Sequence, residues 1–540
     1  MYSEPLFDNT PKTDLLTIKE ASKFATEFMG RNITISNISY LIQYGRVKKI
    51  TDDSGIVKIN KYDLTKYYQS YRDSREIIYK EELGSDLNWT LSFDKYKESE
   101  TTKHVHRLHP YKGKFIPQLV EYFLDSRTDS FKTESYFESG DIVLDPFSGS
   151  GTTMVQANEL GLNALGIDIS AFNALIANGK VAIYNLIDVE QELNKITTQL
   201  NIFLNNSSII EFENELLKEL YEFNSLYFPS PDYKYKLRQK QINETIYGRE
   251  KEEEFLSIYH KLIDKYKIEL QQSSINNFLD KWYLVHIRKE INIALDGIKQ
   301  ITDSNTKQII SLILSRTVRS CRATTHADLA TLINPVIAPY YCSKHGKICK
   351  PLFSILKWWQ TYSKDTLKRL KHFDTLRTNT YQYCLTGDSR TIEILFELQK
   401  KKSFLAELIK KQKIKGIFSS PPYVGLIDYH QQHAYAYDLF GFKRNDDLEI
   451  GPLFKGQGKA ARDSYIDAIA DVLNNSKRFF ADDYNVFLVA NDKYNLYPTI
   501  AKKSDMKIVN EFKRPVLNRT EKDRRAYCET IFHLKSKVKI

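Results

Sequence analysis

An α/β fold, preceded by a small helical module and split by a long helical insertion, is what this sequence predicts, on three observations. The apolar run Ile142-Val143-Leu144 leads into Asp145-Pro-Phe-Ser-Gly-Ser-Gly-Thr-Thr153 and then a helix-like stretch over 154–160. That is the order of a buried strand, a Gly-rich turn and a helix. A second apolar run, 164–169, carries Asp168 at its tip. After about Val189 the pattern stops, and it resumes beyond Phe373 with strand-like runs at 381–385, 414–418, 485–490 and 528–533.

With 540 residues the chain has room for several domains. Hydrophobic content of 42% and charge of 27% are those of an ordinary globular protein. The net charge of +10 favours a polyanionic partner. There is no N-terminal basic–apolar–small pattern and no apolar run of membrane-span length, so neither a signal peptide nor a membrane association is expected. The five cysteines (Cys321, Cys342, Cys349, Cys384 and Cys528) are few, odd in number and scattered. They argue for a reducing compartment, and a cytoplasmic protein is expected.

Residues 1–13 carry no periodic signal and read as a loose terminus. Thr17 and Glu20 form a capping box that opens a first helix. A second helix over 36–44 gathers Ile38, Leu41 and Ile42 on one face and stops at Gly45. The runs 47–50 and 56–59 flank a turn at 52–55, a hairpin signal, and a third helix follows over 61–71. Helix, helix, hairpin and helix resembles the small winged helix-turn-helix modules of the excisionase and MerR type. The resemblance implies a DNA-binding module over residues 1–75, with Asn37, Tyr40, Gln43, Arg46 and Lys48 facing the major groove.

At the Gly-rich turn three ligand classes compete. A P-loop needs a lysine after Gly151, where Thr152 stands, and a dinucleotide fingerprint needs a third glycine where Met154 stands. The loop resembles that of the amino-methylating DNA methyltransferases, whose Asp-Pro-Phe-x-Gly-Ser-Gly-Thr-Thr is present without a gap. This resemblance implies a Rossmann-like class I methyltransferase core that binds S-adenosylmethionine through Asp145, Phe147, Gly149, Gly151 and Thr152. Upstream, Pro110-Tyr111-Lys112-Gly113-Lys114-Phe115 resembles the family segment that closes over the methionine end of the cofactor. Lys114 suits its carboxylate and Phe115 its sulfonium. Asp168 lies 23 residues after Asp145, near the offset at which nucleoside folds hold a ribose hydroxyl pair; a helix cap is its ordinary alternative. Asp388, in Thr386-Gly-Asp-Ser-Arg390, matches the family's acidic residue that reaches the adenine amino group, against the same alternative.

Ser420-Pro421-Pro422-Tyr423 follows the run at 414–418 and carries the chemistry. The exocyclic amine of a base is a poor nucleophile because its lone pair is delocalised into the ring. Ser420 Oγ and the Pro421 carbonyl can accept its hydrogens and favour a pyramidal nitrogen, while Pro421 and Pro422 stiffen the turn. Tyr423 offers a face on which an extruded base can stack. Serine in the first position resembles the cytosine-N4 enzymes more than the adenine-N6 ones. Cytosine carbon-5 chemistry needs a Pro-Cys nucleophile, and none of the five cysteines follows a proline. Two other readings are an RNA methyltransferase of the tRNA guanine-N2 kind and a non-catalytic DNA-binding regulator. Ser420 and the N-terminal module speak against the first, and the intact loop and catalytic turn against the second.

The expected organisation is therefore the DNA-binding module at 1–75, a first part of the core at 76–188, a helical insertion at 189–373 and a second part of the core at 374–540. The insertion reads as a target-recognition domain. Arg316, Arg319 and Arg322 recur every three residues, and Lys364, Lys368 and Lys371 recur after four and then three, so each set shares one helical face that suits phosphate contact. Cys342-x2-His345-x3-Cys349 has spacing for three zinc ligands, with Cys321 or His326 as a fourth. No second paired cluster completes it, so no metal is expected. The family resemblance implies double-stranded DNA as partner, and a cognate restriction endonuclease alongside.

Overall fold

The computed structural model describes residues 14–537 apart from 31, 53, 73–78, 80, 85, 94, 112, 327–333 and 517–525. The expected loose terminus at 1–13 therefore lies outside the described residues. The chain forms two compact units. The first joins Met1–Gly84, Ser207–Glu269 and Ala323–Pro351, and the second joins Ser85–Asn206, Leu270–Arg322 and Leu352–Ile540.

The second unit is built on a seven-stranded sheet. Its strands are β1 (Ile142–Asp145), β2 (Asn163–Asp168), β3 (Gln382–Thr386), β4 (Ile414–Ser419), β5 (Phe480–Ala490), β6 (Met506–Pro515) and β7 (Cys528–Ser536). Their order in space is β3-β2-β1-β4-β5-β7-β6. The first five run parallel, and β7 lies antiparallel between β5 and β6. Every residue of β1 and β2 is buried, as expected for parallel strands covered on both faces. Ile142, Leu144, Leu165, Ile167, Ile417 and Leu488 form the centre of the core. The α/β expectation is met, including the resumption of the sheet after the insertion.

The stretch 189–373 is divided between the units, which corrects its reading as a single inserted domain. Helices Leu186–Asn205, Val285–Lys299, Ser304–Ser320 and Leu356–Asp374 pack on one another within the second unit, and Ser304–Ser320 also packs on Ala171–Val181. The reason is burial. Residues 309–318 of Ser304–Ser320 are buried without a break, so that helix needs partners on every side. Trp359 Nε1 donates to Thr197 Oγ1 at 2.9 Å, and buried Glu290 accepts from the Ile355 N–H at 3.0 Å.

In the first unit, helices Ile18–Met29, Ile35–Gln43 and Lys61–Arg72 and the hairpin Ile50–Thr51/Val57–Asn60 follow the predicted order. The capping box is present: the Thr17 N–H donates to Glu20 at 2.9 Å, and the Glu20 N–H donates to Thr17 Oγ1 at 3.3 Å. Ala21, Ala25, Ile38, Leu41, Ile59 and Leu64 are its core. An unpredicted strand, Leu15–Thr17, pairs antiparallel with Val57–Asn60. The inserted part of this unit supplies helices Ile209–Tyr227, Asp232–Arg238 and Glu244–Tyr266 and a hairpin of Tyr340–Cys342 with Lys347–Cys349.

Candidate active site

The order of the sheet sets the place. From β1 the chain proceeds to β2 and β3 on one side, while β4 and β5 lie on the other. At such a reversal the loops after neighbouring strands diverge and leave a crevice beyond their carboxyl ends. Asp145 ends β1, Asp168 ends β2 and Ser419 ends β4. A pocket with about 880 Å³ of empty space, part of it open to solvent, lies there.

Asp145, Phe147, Gly149, Thr152, Asp168, Asp388, Lys114, Phe115, Ser420 and Pro422 all line this pocket. Residues of the sequence motifs, up to 308 positions apart, converge on one cavity. Gly151 stands apart from the lining and serves the turn. Its φ is +73°, it caps the helix Thr152–Glu159, and a Cβ on it would sit 2.9 Å from Ala177 Cα. Gly149 also has positive φ, and a Cβ there would come 3.0 Å from the Tyr111 hydroxyl oxygen.

Asp145 accepts from the Ser419 hydroxyl at 2.6 Å and from the Phe147 N–H at 3.2 Å. Asp168 accepts from the backbone of Gly149 at 2.7 Å, from the Ser170 N–H at 2.9 Å and from Asn173 Nδ2 at 3.0 Å. Burial raises both carboxyls from the usual range to about 6. Asp388 is paired with Arg390, whose Nη2 lies 2.6 Å from Oδ2. Lys114 donates to the His106 carbonyl at 2.8 Å, and burial, with Arg107 and Arg369 nearby, lowers its ammonium to about 8. Phe115 meets Phe418 edge-on at 5.5 Å.

The catalytic-turn residues divide. The Ser420 hydroxyl donates to the Val489 carbonyl at 3.1 Å. Its one hydrogen is thereby spent on the neighbouring strand, and its oxygen lone pairs remain to accept. Pro421 is buried. Tyr423 turns away from the first pocket into a second cleft, which Asn491, Asp492, Tyr494 and Tyr527 also line. Its hydroxyl donates to Glu529 at 2.9 Å.

Asn173 and Glu449, which sequence reasoning missed, line the first pocket too, as do Tyr111, which it left without a role, and Tyr429, one of a cluster of aromatics at 429–437. Tyr111 and Tyr429 stack at 5.9 Å, and burial raises Glu449 to about 7. Tyr111 sits inside the Pro-Tyr-x-Gly-Lys-Phe stretch, which was signal enough to find it. Glu449 belongs to no motif.

Of the expected DNA contacts, Tyr40, Gln43, Arg46 and Lys48 are exposed. Arg316 and Arg322 are corrected: both are buried inside the second unit. Arg316 pairs with Asp365 at 2.7 Å and lies over the Tyr362 ring, while Arg322 lies between Phe278 and Tyr435. A period of three placed these arginines on one face, but that face meets neighbouring helices rather than water. Arg319 is half-buried.

Comparison with known proteins places the chain in a family. The DNA methylase family of N6 and N4 methyltransferases matches residues 15–179. The chain is 47% identical over 539 residues to the Type II methyltransferase M.MjaII of Methanocaldococcus jannaschii, covering 99% of each. It is also 29% identical over 221 residues to M.BsoBI of Geobacillus stearothermophilus, covering 38% of this chain and 42% of that one. A third relative, M.MvaI of Kocuria varians, is 29% identical over 100 residues, 18% of this chain and 21% of that one. The chain belongs to the Type II DNA methyltransferases of the amino-methylating family. S-adenosylmethionine is the methyl donor, and the pocket's residues suit it: Gly149 and Gly151 leave the loop without side chains, and Asp168 and Asp388 line the pocket with carboxylate acceptors. Among the described residues no helix is long and apolar enough to cross a membrane.

Proposed function

We propose that this protein methylates the N4 amine of cytosine in double-stranded DNA, taking the base out of the duplex and transferring the methyl group directly, in line, to nitrogen. The observation that carries the reading is the Ser420–Val489 hydrogen bond at the mouth of the donor pocket. It leaves Ser420 Oγ an acceptor for an amine hydrogen, with the Pro421 carbonyl as the second. Tyr423, in the adjoining cleft, offers the ring for stacking.

Bound S-adenosylmethionine supplies an electrophilic methyl group on a sulfonium. The chain's own residues do the rest. Asp168 accepts from ribose hydroxyls, Asp388 from the adenine amino group, and Lys114 pairs with the carboxylate at the methionine end. Phe115 and Phe147 cover apolar faces and exclude water. Proximity and orientation supply most of the acceleration. Tyr40, Gln43, Arg46 and Lys48 on the N-terminal module contact the duplex. The biological role that follows is protection of host DNA beside a cognate restriction endonuclease, in the cytoplasm.

The test is transfer of labelled methyl groups to DNA, followed by mass identification of the modified nucleoside. N4-methylcytosine is expected. N6-methyladenine would overturn the base assignment, and transfer to RNA alone would overturn the substrate.

A further inference from the structure

The hairpin Tyr340–Cys342/Lys347–Cys349 in the first unit carries a group that methyl transfer leaves unused. His326, Cys342, His345 and Cys349 bring one ligand atom each to within 4.8 Å of one another. His345 Nδ1 lies 3.6 Å from Cys342 Sγ and 3.3 Å from Cys349 Sγ, and His326 Nδ1 lies 3.8 Å from Cys342 Sγ. Zinc bonds of about 2.3 Å to sulfur and about 2.0 Å to nitrogen, set at tetrahedral angles, put a sulfur and a nitrogen roughly 3.5 Å apart. The four side chains thus already stand at the corners of such a site.

The local fold explains the grouping. Cys342 pairs with Lys347 and Tyr340 with Cys349 across the hairpin, so Cys349, two residues beyond Lys347, puts its sulfur on the same face as that of Cys342. Gly346 takes a φ of +63°, and the His345 N–H donates to the Cys342 carbonyl at 3.0 Å, the tight turn that points His345 back at both thiols. His326 arrives from a separate segment and is held there by Tyr340, whose hydroxyl oxygen accepts from the His326 N–H at 2.9 Å and lies 2.8 Å from its Nδ1. Both cysteines are buried, and neither is in a disulfide.

We infer that His326, Cys342, His345 and Cys349 form a structural zinc site. Four protein ligands close the coordination sphere and leave no open position for a reacting group, which sets it apart from a catalytic zinc. The sequence offered His326 as one of two candidate fourth ligands, and no metal was expected because no second paired cluster completes the set. Cys321, the other candidate, is not in the cluster. The site has a structural consequence within its unit. Lys234 packs against Gly346, where a Cβ would come 2.9 Å from its Cε, and the Lys234 backbone packs against Gly45, directly after the helix Ile35–Gln43. Arg238 Nε donates to the Tyr44 carbonyl at 2.6 Å. Zinc would brace the hairpin on which the segment Asp232–Arg238 leans, and that segment supports the turn after the second helix of the N-terminal module.

The experiment is elemental analysis of the purified full-length protein after dialysis against zinc and then against buffer. About one zinc per chain is expected, with Cys342→Ser and Cys349→Ser lowering the ratio roughly tenfold or more and Cys321→Ser leaving it unchanged. Should the serine variants fail to fold, cobalt added to the chelated wild-type protein gives the readout, through a thiolate-to-cobalt charge-transfer band and the intense visible bands of tetrahedral cobalt. Absence of stoichiometric metal from the zinc-treated protein, a cobalt spectrum without thiolate bands, or a Cys342–Cys349 disulfide found by mass would each overturn the proposal.

Discussion

Asp145 and Ser419, the last residues of two neighbouring strands, share a hydrogen bond of 2.6 Å in the interior of the second unit. One begins the Gly-rich loop and the other precedes Ser420, so a single contact sets the donor pocket against the catalytic turn. Ser419→Ala removes the donor and leaves a buried carboxylate oxygen short of a partner, at a cost of about 1–3 kcal/mol. The expected outcome is a lower urea midpoint and a lower kcat together, measured on the same preparation.

Ser420→Ala separates chemistry from binding. Ser420 lines the donor pocket, and its hydroxyl bonds to Val489 on β5 rather than to the Gly-rich loop, so its removal should leave that loop intact. Single-turnover transfer should fall by roughly 100-fold or more, the loss typical of one deleted electrostatic contact at a reacting centre. Cofactor affinity by calorimetry should change little. Equal losses in both would show that the serine holds the cofactor rather than the amine.

The pH dependence of stability has a definite sign. Burial raises Asp145 and Asp168 from 3.8 to about 6. The unfolded chain gives up these protons near its ordinary value, so between about pH 4 and about pH 6 the folded form binds more protons than the unfolded form. Stability at these sites therefore falls as pH rises through that window and is level above it. Asp168→Asn should narrow the difference in unfolding free energy between buffers near pH 4.5 and near pH 7. A variant with the full wild-type difference would contradict the assignment.

The two sets of arginines should behave oppositely. Arg316→Ala removes a buried partner of Asp365 and is expected to destabilise by about 3–5 kcal/mol, read as a lower Tm. Arg46→Ala and Lys48→Ala act on exposed residues and should leave Tm within about 1 °C. Each should weaken DNA binding and lower the slope of log affinity against log salt by about one.

How much of this was legible in the sequence follows from what each signal encodes. Strand β1, the Gly-rich turn and the catalytic turn carry local chemistry, and local chemistry survives in a linear reading. Strand β6 was missed because it is a sheet edge. Its residues 509–511 are exposed or half-exposed, and a register shift between Ile508 and Asn510 breaks the alternation that marks a strand. The Arg316 period was read correctly as a helical face, but a period reports which residues share a face and not whether that face meets water or another helix. The split of 189–373 between two units had no local signal, since its amphipathic helices look alike whichever partner they bury against. The fourth member of the His326 cluster depends on a fold that joins two segments, which spacing alone does not report.

The sheet order has a consequence for how the protein is made. Strand β1 meets β2 after 17 intervening residues, but its other neighbour, β4, begins only at Ile414, and β3 only at Gln382. While the ribosome produces everything between, both margins of the β1–β2 pair stand unpaired, with apolar strands that the finished sheet buries on both faces. Such margins are templates for wrong association, and their protection falls to chaperones or to the speed of elongation. The delay has a second consequence: a chain released before Ser420 possesses the Gly-rich loop but lacks the serine proposed to hold the amine, and should not transfer methyl groups.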